Sequence, residues 1–265
     1  MIKDIKGQNM LTNIELEQIL DEKLNSKAIA DYAPNGLQVE GRKTIQKIIT
    51  GVTASLPLIE QAIAKNADAI LVHHGYFWKS ESPCLRGMKG KRIKQLLVND
   101  INLFGYHLPL DIHPELGNNA QLAKHIGVNN LQGLEDKPNS IPVYGELEQA
   151  ISAEELKSRL EKALRRNVIL CNEFIADFPQ KTIKTVGICT GGGQGYIDLA
   201  ASKGIDAFIS GEISEQTTHS AREQGIYYFA CGHHATERDG VKALGEWLSQ
   251  EYGLDVEFID IDNPA

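Results

Sequence analysis

The sequence predicts an α/β fold built from two related α/β domains, and the main reason is a repeated order of strand, helix and strand. The run KIITGVTAS (47–55) is β-branched and typical of a buried strand, a helical pattern follows it, and DAILVHH (68–74) is a second short apolar strand. At an offset of 138 residues, TVGICTGGG, YIDLAASKGI and DAFISGE repeat this order. We therefore expect an internal duplication.

The flanking segments add further elements. Thr12 and Glu15 have capping-box spacing at the start of a helix, which we expect to end at the turn formed by residues 34–36. Residues 143–170 read as strand, helix and strand, with a second capping box predicted at Ser152 and Glu155. Parallel β-α-β units need helices on both faces of a mostly parallel sheet, and their ligands collect at the carboxyl ends of the strands.

Composition excludes several classes of function. The chain has 265 residues, 42% of them hydrophobic, which is enough for a large core. A formal charge of −8 leaves no basic field for polymeric nucleic acid or anionic lipid. No apolar run approaches the roughly 20 residues of a membrane span, and the N-terminus lacks the apolar core of a signal peptide. We predict a cytoplasmic protein whose four widely spaced cysteines are reduced thiols.

The repeat continues into a second matched element that carries chemistry. His107 and Asp111 are four residues apart after one predicted strand, and His233 and Glu237 are four residues apart after another, at an offset of 126 residues. The spacing alone is common on solvent-facing helices, but its duplication at two strand ends is informative. We place the N-terminal half at residues 1–127 and the C-terminal half at 128–265.

Imidazoles and carboxylates cluster at these strand ends and predict a metal site. The candidate groups are His73, His74, His107, Asp111, His233 and Glu237. They exceed what one tetrahedral ion needs and suit two divalent ions with a bridging carboxylate and a shared water. Adjacent side chains of an extended strand point to opposite faces, so His73 and His74 would diverge unless the strand breaks, which Gly75 allows.

Other candidates have a structural alternative beside the functional one. We expect His113, His125 and His219 to be surface or capping residues, with lining of the site as the alternative for His219. We expect Cys231 to be a buried structural thiol, with a thiolate two residues before His233 as the alternative. The run TGGGQGY (190–196) suits either an anion at a helix start or a tight turn with close packing. It does not match a P-loop or a dinucleotide fingerprint, which argues against a Rossmann-type enzyme. The aromatic residues Tyr76, Phe77 and Trp78 suit stacking on a base, but three aromatics beside a strand are more often core or a subunit contact.

Several segments together resemble a known family. They are DYAPNGLQVEG, VHHGYFWK, GYHLPLDIHPELGNN, SGEISEQTTHSARE and GHHATERDGVKALGEWL. They closely resemble the YbgI-like proteins, also described as GTP cyclohydrolase I type 2 homologues and as NIF-three-like proteins, over nearly the whole chain from about Leu11. The resemblance implies two related α/β domains that face each other across a dinuclear metal site, in a ring-shaped homohexamer.

The resemblance also implies roles for individual residues. The metal ligands it implies are His73, His74, Asp111, His233 and Glu237, with Glu237 as the bridge. It makes His107 an acid/base or supporting group rather than a ligand. These groups admit zinc, iron or manganese, two ions per subunit.

Two functions of different class follow from this site. The first is a metal-dependent hydrolase acting on a small nucleotide or related heterocycle; if the cyclohydrolase description holds, the attack falls on purine C8 while His107 shuttles protons. The alternative is a non-enzymatic metal-binding store or scaffold protein. Turnover that depends on metal would distinguish them.

Overall fold

A computed structural model describes residues 10–172 and 181–265 of the chain. It divides into two compact units. Unit 1 comprises Met1–Leu110 and Gly240–Asp262, and unit 2 comprises Asp111–Asp239 and Asn263–Ala265. The two units are not continuous in sequence, because the chain returns to unit 1 near its C-terminus. The division into related halves after residue 127 stays a prediction.

The elements alternate along the chain as the sequence predicts. The strands are β1 (Leu11–Thr12), β2 (Gly36–Val39), β3 (Thr44–Ile45), β4 (Lys47–Thr53), β5 (Ala69–His74), β6 (Asn102–Gly105), β7 (Val128–Gly133), β8 (Val143–Ile151), β9 (Ile169–Leu170), β10 (Ile183–Cys189), β11 (Ala207–Ser210), β12 (Tyr227–Ala230) and β13 (Asp255–Phe258). The α-helices are α1 (Asn13–Leu24), α2 (Leu56–Ala64), α3 (Gly87–Val98), α4 (Leu108–Asp111), α5 (Asn118–Ile126), α6 (Ala153–Leu164), α7 (Ile197–Ser202), α8 (Glu215–Gln224), α9 (His233–Thr236) and α10 (Arg238–Tyr252).

Unit 1 is built on a five-stranded sheet in the order β13-β4-β5-β6-β2. The first four strands are parallel, and β2 runs antiparallel to β6. The near-continuous apolar pattern of β4 and β5 reflects burial on both faces. The return of the chain has a clear cause, since β13 pairs with β4 and Gly245 of α10 lets that helix approach Thr50 and Val256. Parallel pairing places the ends of β4, β5 and β6 at one edge.

The first helix begins where the sequence predicts and ends earlier. Thr12 caps α1 and exchanges both bonds of a capping box with Glu15. The helix stops at Leu24 because Asn25 adopts a left-handed conformation, with φ of 48°. The expected end at residues 34–36 is therefore wrong, and those residues instead lead into β2.

Unit 2 contains a six-stranded sheet in the order β7-β8-β10-β11-β12-β9. Only β10, β11 and β12 are parallel to one another; β7, β8 and β9 pair antiparallel. The prediction of a mostly parallel sheet is thus wrong for this unit, since the pairings of β7 with β8, β8 with β10 and β9 with β12 are all antiparallel. Ser152 caps α6 by accepting from the Glu155 N–H. Apolar clusters of the described residues pack on this sheet and include residues of its parallel strands.

An aspartate makes the same backbone contacts in each unit. In unit 1, Asp68 Oδ2 accepts from the N–H groups of Gln46 and Lys47, at 2.9 Å each. In unit 2, Asp206 Oδ2 accepts from the N–H groups of Lys184 and Thr185, at 3.0 and 2.9 Å. In both cases the aspartate immediately precedes the second strand of the β-α-β unit, and its carboxylate binds N–H groups near the start of the first strand. All pairs follow the 138-residue offset.

Two further sequence predictions concern the whole chain. All four cysteines are free, and three of them are buried, with Cys84 the exposed one. Among the described residues, 10–172 and 181–265, no helix combines the length and the apolar character needed to cross a bilayer.

Candidate functional site

Three histidines converge at one sheet edge in unit 1. His73 and His74 end β5, and His107 follows the end of the neighbouring parallel strand β6. The rings of His73 and His74 lie 4.5 Å apart, and that of His107 lies 5.1 Å from that of His73. One nitrogen from each ring falls within 4.8 Å of the others. The adjacent imidazoles therefore converge where the strand ends, which regular alternation would not allow.

Each of these rings uses Nδ1 to contact the protein. The Nδ1 of His73 lies 3.0 Å from the carbonyl oxygen of Tyr106. Because a carbonyl only accepts, that nitrogen carries the proton and Nε2 keeps the lone pair. The Nδ1 of His74 lies 3.4 Å from the Thr53 hydroxyl, and the Nδ1 of His107 lies 2.9 Å from Asp31 Oδ1. Such contacts orient an imidazole for a ligand on its other nitrogen.

Asp31 is a buried, ionised carboxylate. Burial by itself would raise the pKa of Asp31, but hydrogen bonds from His107, Asn35 and the Ala33 N–H outweigh it and lower that pKa to about 2. Its carboxyl is thus charged throughout the neutral range.

Aromatic side chains surround His107. The Trp78 ring lies 4.9 Å from that of His107 in an edge-on arrangement, and the half-exposed Tyr32 ring lies 5.0 Å from it. Trp78 Nε1 donates to the Gly75 carbonyl, which fixes the indole. Phe77, before it, has φ of 65°, an uncommon conformation for a bulky residue. Tyr76 is buried, as the core interpretation expects, whereas Trp78 lies beside the histidines, where stacking on a base stays a prediction.

A salt bridge holds the Phe77 segment in place. Glu81 Oε2 accepts from the N–H groups of Phe77 and Trp78, and Lys89 Nζ bonds the same oxygen at 2.9 Å. The Lys89 ammonium also lies 4.6 Å from the centre of the Phe77 ring. These contacts offset the strain at Phe77 and set the position of Trp78.

Unit 2 holds a histidine between two carboxylates. His233 Nδ1 lies 2.7 Å from Glu212 Oε1, and its Nε2 lies 3.2 Å from Glu237 Oε2. Burial alone lowers the pKa of His233, but the hydrogen bonds and charges of Glu237 and Glu212 outweigh this and raise that pKa to about 9. The position between His233 Nε2 and the buried Glu237 carboxylate therefore attracts positive charge.

The glycine run packs against this pair. Gly191 follows β10, has φ of +65°, and a Cβ there would lie 2.1 Å from Glu237 Oε1 and 3.1 Å from His233 Nε2. Its N–H donates to the Thr236 hydroxyl. The Glu212 carboxylate lies near Gly192 as well. Two carboxylates beside the loop disfavour an anion, so the tight turn with close packing is the reading that fits.

Asp111 begins unit 2 and is buried. Its Oδ1 accepts from Asn118 Nδ2 at 2.8 Å, a bond that orients the carboxylate. The thiol of Cys231 is fully buried, and burial raises its pKa, so it favours the protonated form that does not bind metal. This fits the structural interpretation of that cysteine.

Two other histidines have local partners, in line with the expectation of surface or capping roles. His113 Nδ1 accepts from the N–H groups of Glu115 and Leu116, and His125 Nε2 lies 3.2 Å from Asp239 Oδ2.

Asp31 and Glu212 are not among the candidates that the sequence predicts, and Trp78 enters there only as part of an aromatic run. Asp31 and Trp78 lie in segments that are distant from His107 along the chain, and only the fold brings them to it. Glu212 had a signal, because the 138-residue offset matches it with His74 at the end of the corresponding strand.

The residues fit divalent cations on two grounds. In unit 1, one ring nitrogen from each of three imidazoles lies within 4.8 Å of the others, and in unit 2 a Glu237 carboxylate oxygen lies 3.2 Å from His233 Nε2. Gly191 leaves space beside this pair that any side chain would fill. Imidazole and carboxylate together suit zinc, iron and manganese.

Comparison with known proteins identifies the family. The family model Duf34/NIF3 (NGG1p interacting factor 3) matches residues 11–264. A Pasteurella multocida protein named GTP cyclohydrolase 1 type 2 homolog is 69% identical, over 95% of this chain and 99% of its own length.

Solved structures agree with the sequence relatives. The structure of protein ybgI, described as of unknown function, is 57% identical with a TM-score of 0.90 and covers 96% of this chain and 100% of its own. The structure of TTHA1606 from Thermus thermophilus is 29% identical, with a TM-score of 0.85 and the same two coverages. A mixed α/β fold is thus shared, and the resemblance noted in the sequence is confirmed. The chain belongs to the Duf34/NIF3 (NGG1p interacting factor 3) family.

Proposed function

We propose that the chain is a dinuclear metal-dependent hydrolase that acts on a small nucleotide or a related heterocycle. The observation that carries the proposal is the group of three imidazoles in unit 1. Two of them, His73 and His107, have Nδ1 committed to protein acceptors and therefore carry the lone pair on Nε2. Purely structural histidines have no reason to gather in this way at the ends of two parallel strands.

The ligand set we propose draws on both units. It comprises His73, His74, Asp111, His233 and Glu237, with Glu237 as the bridge between two ions. The family membership and the imidazole and carboxylate donors support it. We also propose that the two halves, 1–127 and 128–265, arose by duplication and face each other across this centre. The matched contacts of Asp68 and Asp206 support the duplication.

The remaining residues have roles that follow from their chemistry. When bound, two divalent ions would lower the pKa of a water and polarise the bond to be cleaved. His107, with the lone pair on Nε2, accepts and returns the proton that moves during hydrolysis. Trp78 and Tyr32 form an aromatic wall beside it, which suits a planar heterocycle. The name of the Pasteurella multocida relative makes GTP the first substrate to test.

Metal-dependent turnover tests the proposal. Protein loaded with zinc, iron(II) or manganese is incubated with GTP and a panel of intact and damaged nucleotides, and products are followed by mass spectrometry. We expect product only with metal, and none with an Asp111→Asn control that removes a proposed ligand. Tight metal binding without product from any member of the panel would favour the alternative, a metal store or scaffold.

The assembly and its location belong to the same proposal. We propose a homohexameric ring in the cytoplasm, on the basis of family resemblance. Light scattering at micromolar concentration tests the assembly, and a monomeric mass would remove that part of the proposal without affecting the metal site.

A further inference from the structure

The Asp31 side chain is a densely hydrogen-bonded carboxylate beside the histidines of unit 1. Its Oδ1 lies 2.9 Å from His107 Nδ1 and accepts from the N–H groups of Tyr32 at 2.7 Å and Ala33 at 3.0 Å. Its Oδ2 accepts from the Leu108 N–H at 2.9 Å, and Asn35 completes the set.

Asn35 forms hydrogen bonds with both Asp31 and His107. Its Nδ2 donates to Asp31 Oδ2 at 3.1 Å, and its Oδ1 accepts from the His107 N–H at 2.8 Å. The side chains of Asp31 and His107 are 3% and 8% exposed, so water competes little for these bonds. Both ends of His107, backbone and ring, are therefore tied to the 31–35 segment.

The hydrogen-bond inventory determines which ring nitrogen carries the proton. The four partners of Asp31 other than His107 are N–H donors, so the carboxyl has no acceptor among them to which a proton of its own could point. A carboxylate without a proton only accepts, so His107 must donate through Nδ1. In the neutral imidazole the lone pair then lies on Nε2, the nitrogen that remains for the reaction.

The partner of His107 differs in charge from that of its neighbour. His73 Nδ1 meets a neutral carbonyl, which orients a ligand. His107 Nδ1 meets a full negative charge, which in addition stabilises the imidazolium that forms when Nε2 takes a proton. The charge suits a proton carrier, and the resemblance noted above assigns metal binding to other residues; a carboxylate on Nδ1 also occurs at His233, beside Glu212.

We propose that Asp31 is a positioning residue that holds His107 in the Nδ1–H form and presents Nε2 as the proton acceptor of the hydrolysis. The inference rests on the proposed function for its kinetic consequence, but the proton position can be measured without turnover. In the step itself, Nε2 takes one proton from water as the new carbon–oxygen bond forms, and returns it to the leaving nitrogen. No proton moves to Asp31.

Solid-state NMR of zinc-loaded protein labelled with ¹⁵N-histidine tests the proton position. The His107 signals are identified by their loss in His107→Gln. We expect a protonated Nδ1 and an unprotonated Nε2 in the parent protein, and a shift of the proton toward Nε2 in Asp31→Ala. A parent protein with its His107 proton on Nε2 would overturn the proposal, and this result needs no variant of Asp31 that folds.

Steady-state kinetics provide a second test of the role of Asp31. Asp31→Asn preserves shape and removes the charge, so we expect kcat to fall by roughly 10- to 100-fold with KM little changed and zinc content intact. Asp21→Asn is the matched control, because Asp21 is a carboxylate of the same unit whose contacts within the described residues are the hydroxyls of Tyr106 and Ser26 and the Lys27 ammonium. Equal losses of kcat in the two variants would contradict a specific role for Asp31.

If the parent protein turns over none of the nucleotides, the proposed function fails while the NMR result still decides the position of the proton. If turnover is found and the proton lies on Nε2, only the positioning role fails. The two failures are therefore distinguishable.

Discussion

Replacing Gly191 by alanine should weaken metal binding at the proposed centre, because it displaces Glu237, a proposed ligand. An added Cβ would lie 2.1 Å from Glu237 Oε1, whereas real contacts of this kind are essentially never shorter than 3.0 Å. The carboxylate oxygen must therefore move by about 0.9 Å. Metal–ligand distances tolerate only about 0.2 Å of error, so the displaced oxygen cannot keep its bond. We expect the affinity to fall roughly 10- to 100-fold.

The same substitution also strains the backbone, and a matched control separates the two effects. Gly225 has φ of +66°, against +65° at Gly191, but a Cβ there would meet nothing within 4 Å. Both alanine variants should lose about 1–2 kcal/mol of folding stability, because alanine is strained in the left-handed conformation. Only Gly191→Ala should also lose the free energy of unfolding that metal binding adds, which is about 2.7 kcal/mol when metal is present at a hundredfold excess over Kd.

Elemental analysis and thermal melts with and without chelator measure these contributions. In the parent protein and in Gly225→Ala, chelation should lower Tm by similar amounts. In Gly191→Ala the starting Tm should be lower and the chelator should change it little. Full metal content in Gly191→Ala would refute the reasoning, because the ligand would then have tolerated a displacement that the geometry forbids.

Three further outcomes are expected. Glu237→Ala should disturb both proposed ions and make Tm nearly insensitive to chelator, and two full equivalents of metal per chain by elemental analysis would exclude a bridging role. His107→Gln should keep nearly all metal while turnover falls roughly 100-fold or more, and loss of half the metal would make His107 a ligand. Burial alone would raise the pKa of Asp206, but hydrogen bonds from Thr185 and Lys184 lower that pKa overall. The stabilisation that Asp206 provides is therefore present above the unfolded pKa of about 3.9 and is lost as pH falls through the folded pKa. Asp206→Ala should therefore cost about 1–3 kcal/mol by urea denaturation at pH 7, with the difference from the parent shrinking at pH 3, and a difference that is constant with pH would contradict this assignment.

Several elements could be read from the sequence because they depend on local chemistry. The capping box of Thr12 and Glu15 is completed within four residues, and the apolar run of β5 records burial on both faces of a parallel strand. The gathering of His73, His74 and His107 was also predictable, since parallel neighbours end at one sheet edge.

Other features depend on long-range pairing, which leaves no local signal. The pairing of β13 with β4 returns the chain to unit 1, and the antiparallel additions make the sheet of unit 2 mixed. The early end of α1 rests on the left-handed conformation of Asn25, a conformation that asparagine tolerates but that its presence does not dictate.

The sequence by itself determined the β-α-β repeat, the residue types of a metal site and the resemblance to a family, because periodicity and spacing are properties of the chain. Only the tertiary structure decided what surrounds those residues: the carboxylate of Asp31 on His107, the carboxylate of Glu212 on His233, and the backbone of Gly191 against Glu237. These partners are separated from their histidines or carboxylates by 76, 21 and 46 positions of sequence. The physical reason is that a hydrogen bond or a steric contact acts over about 3 Å of space, and only folding converts sequence separation into such distances.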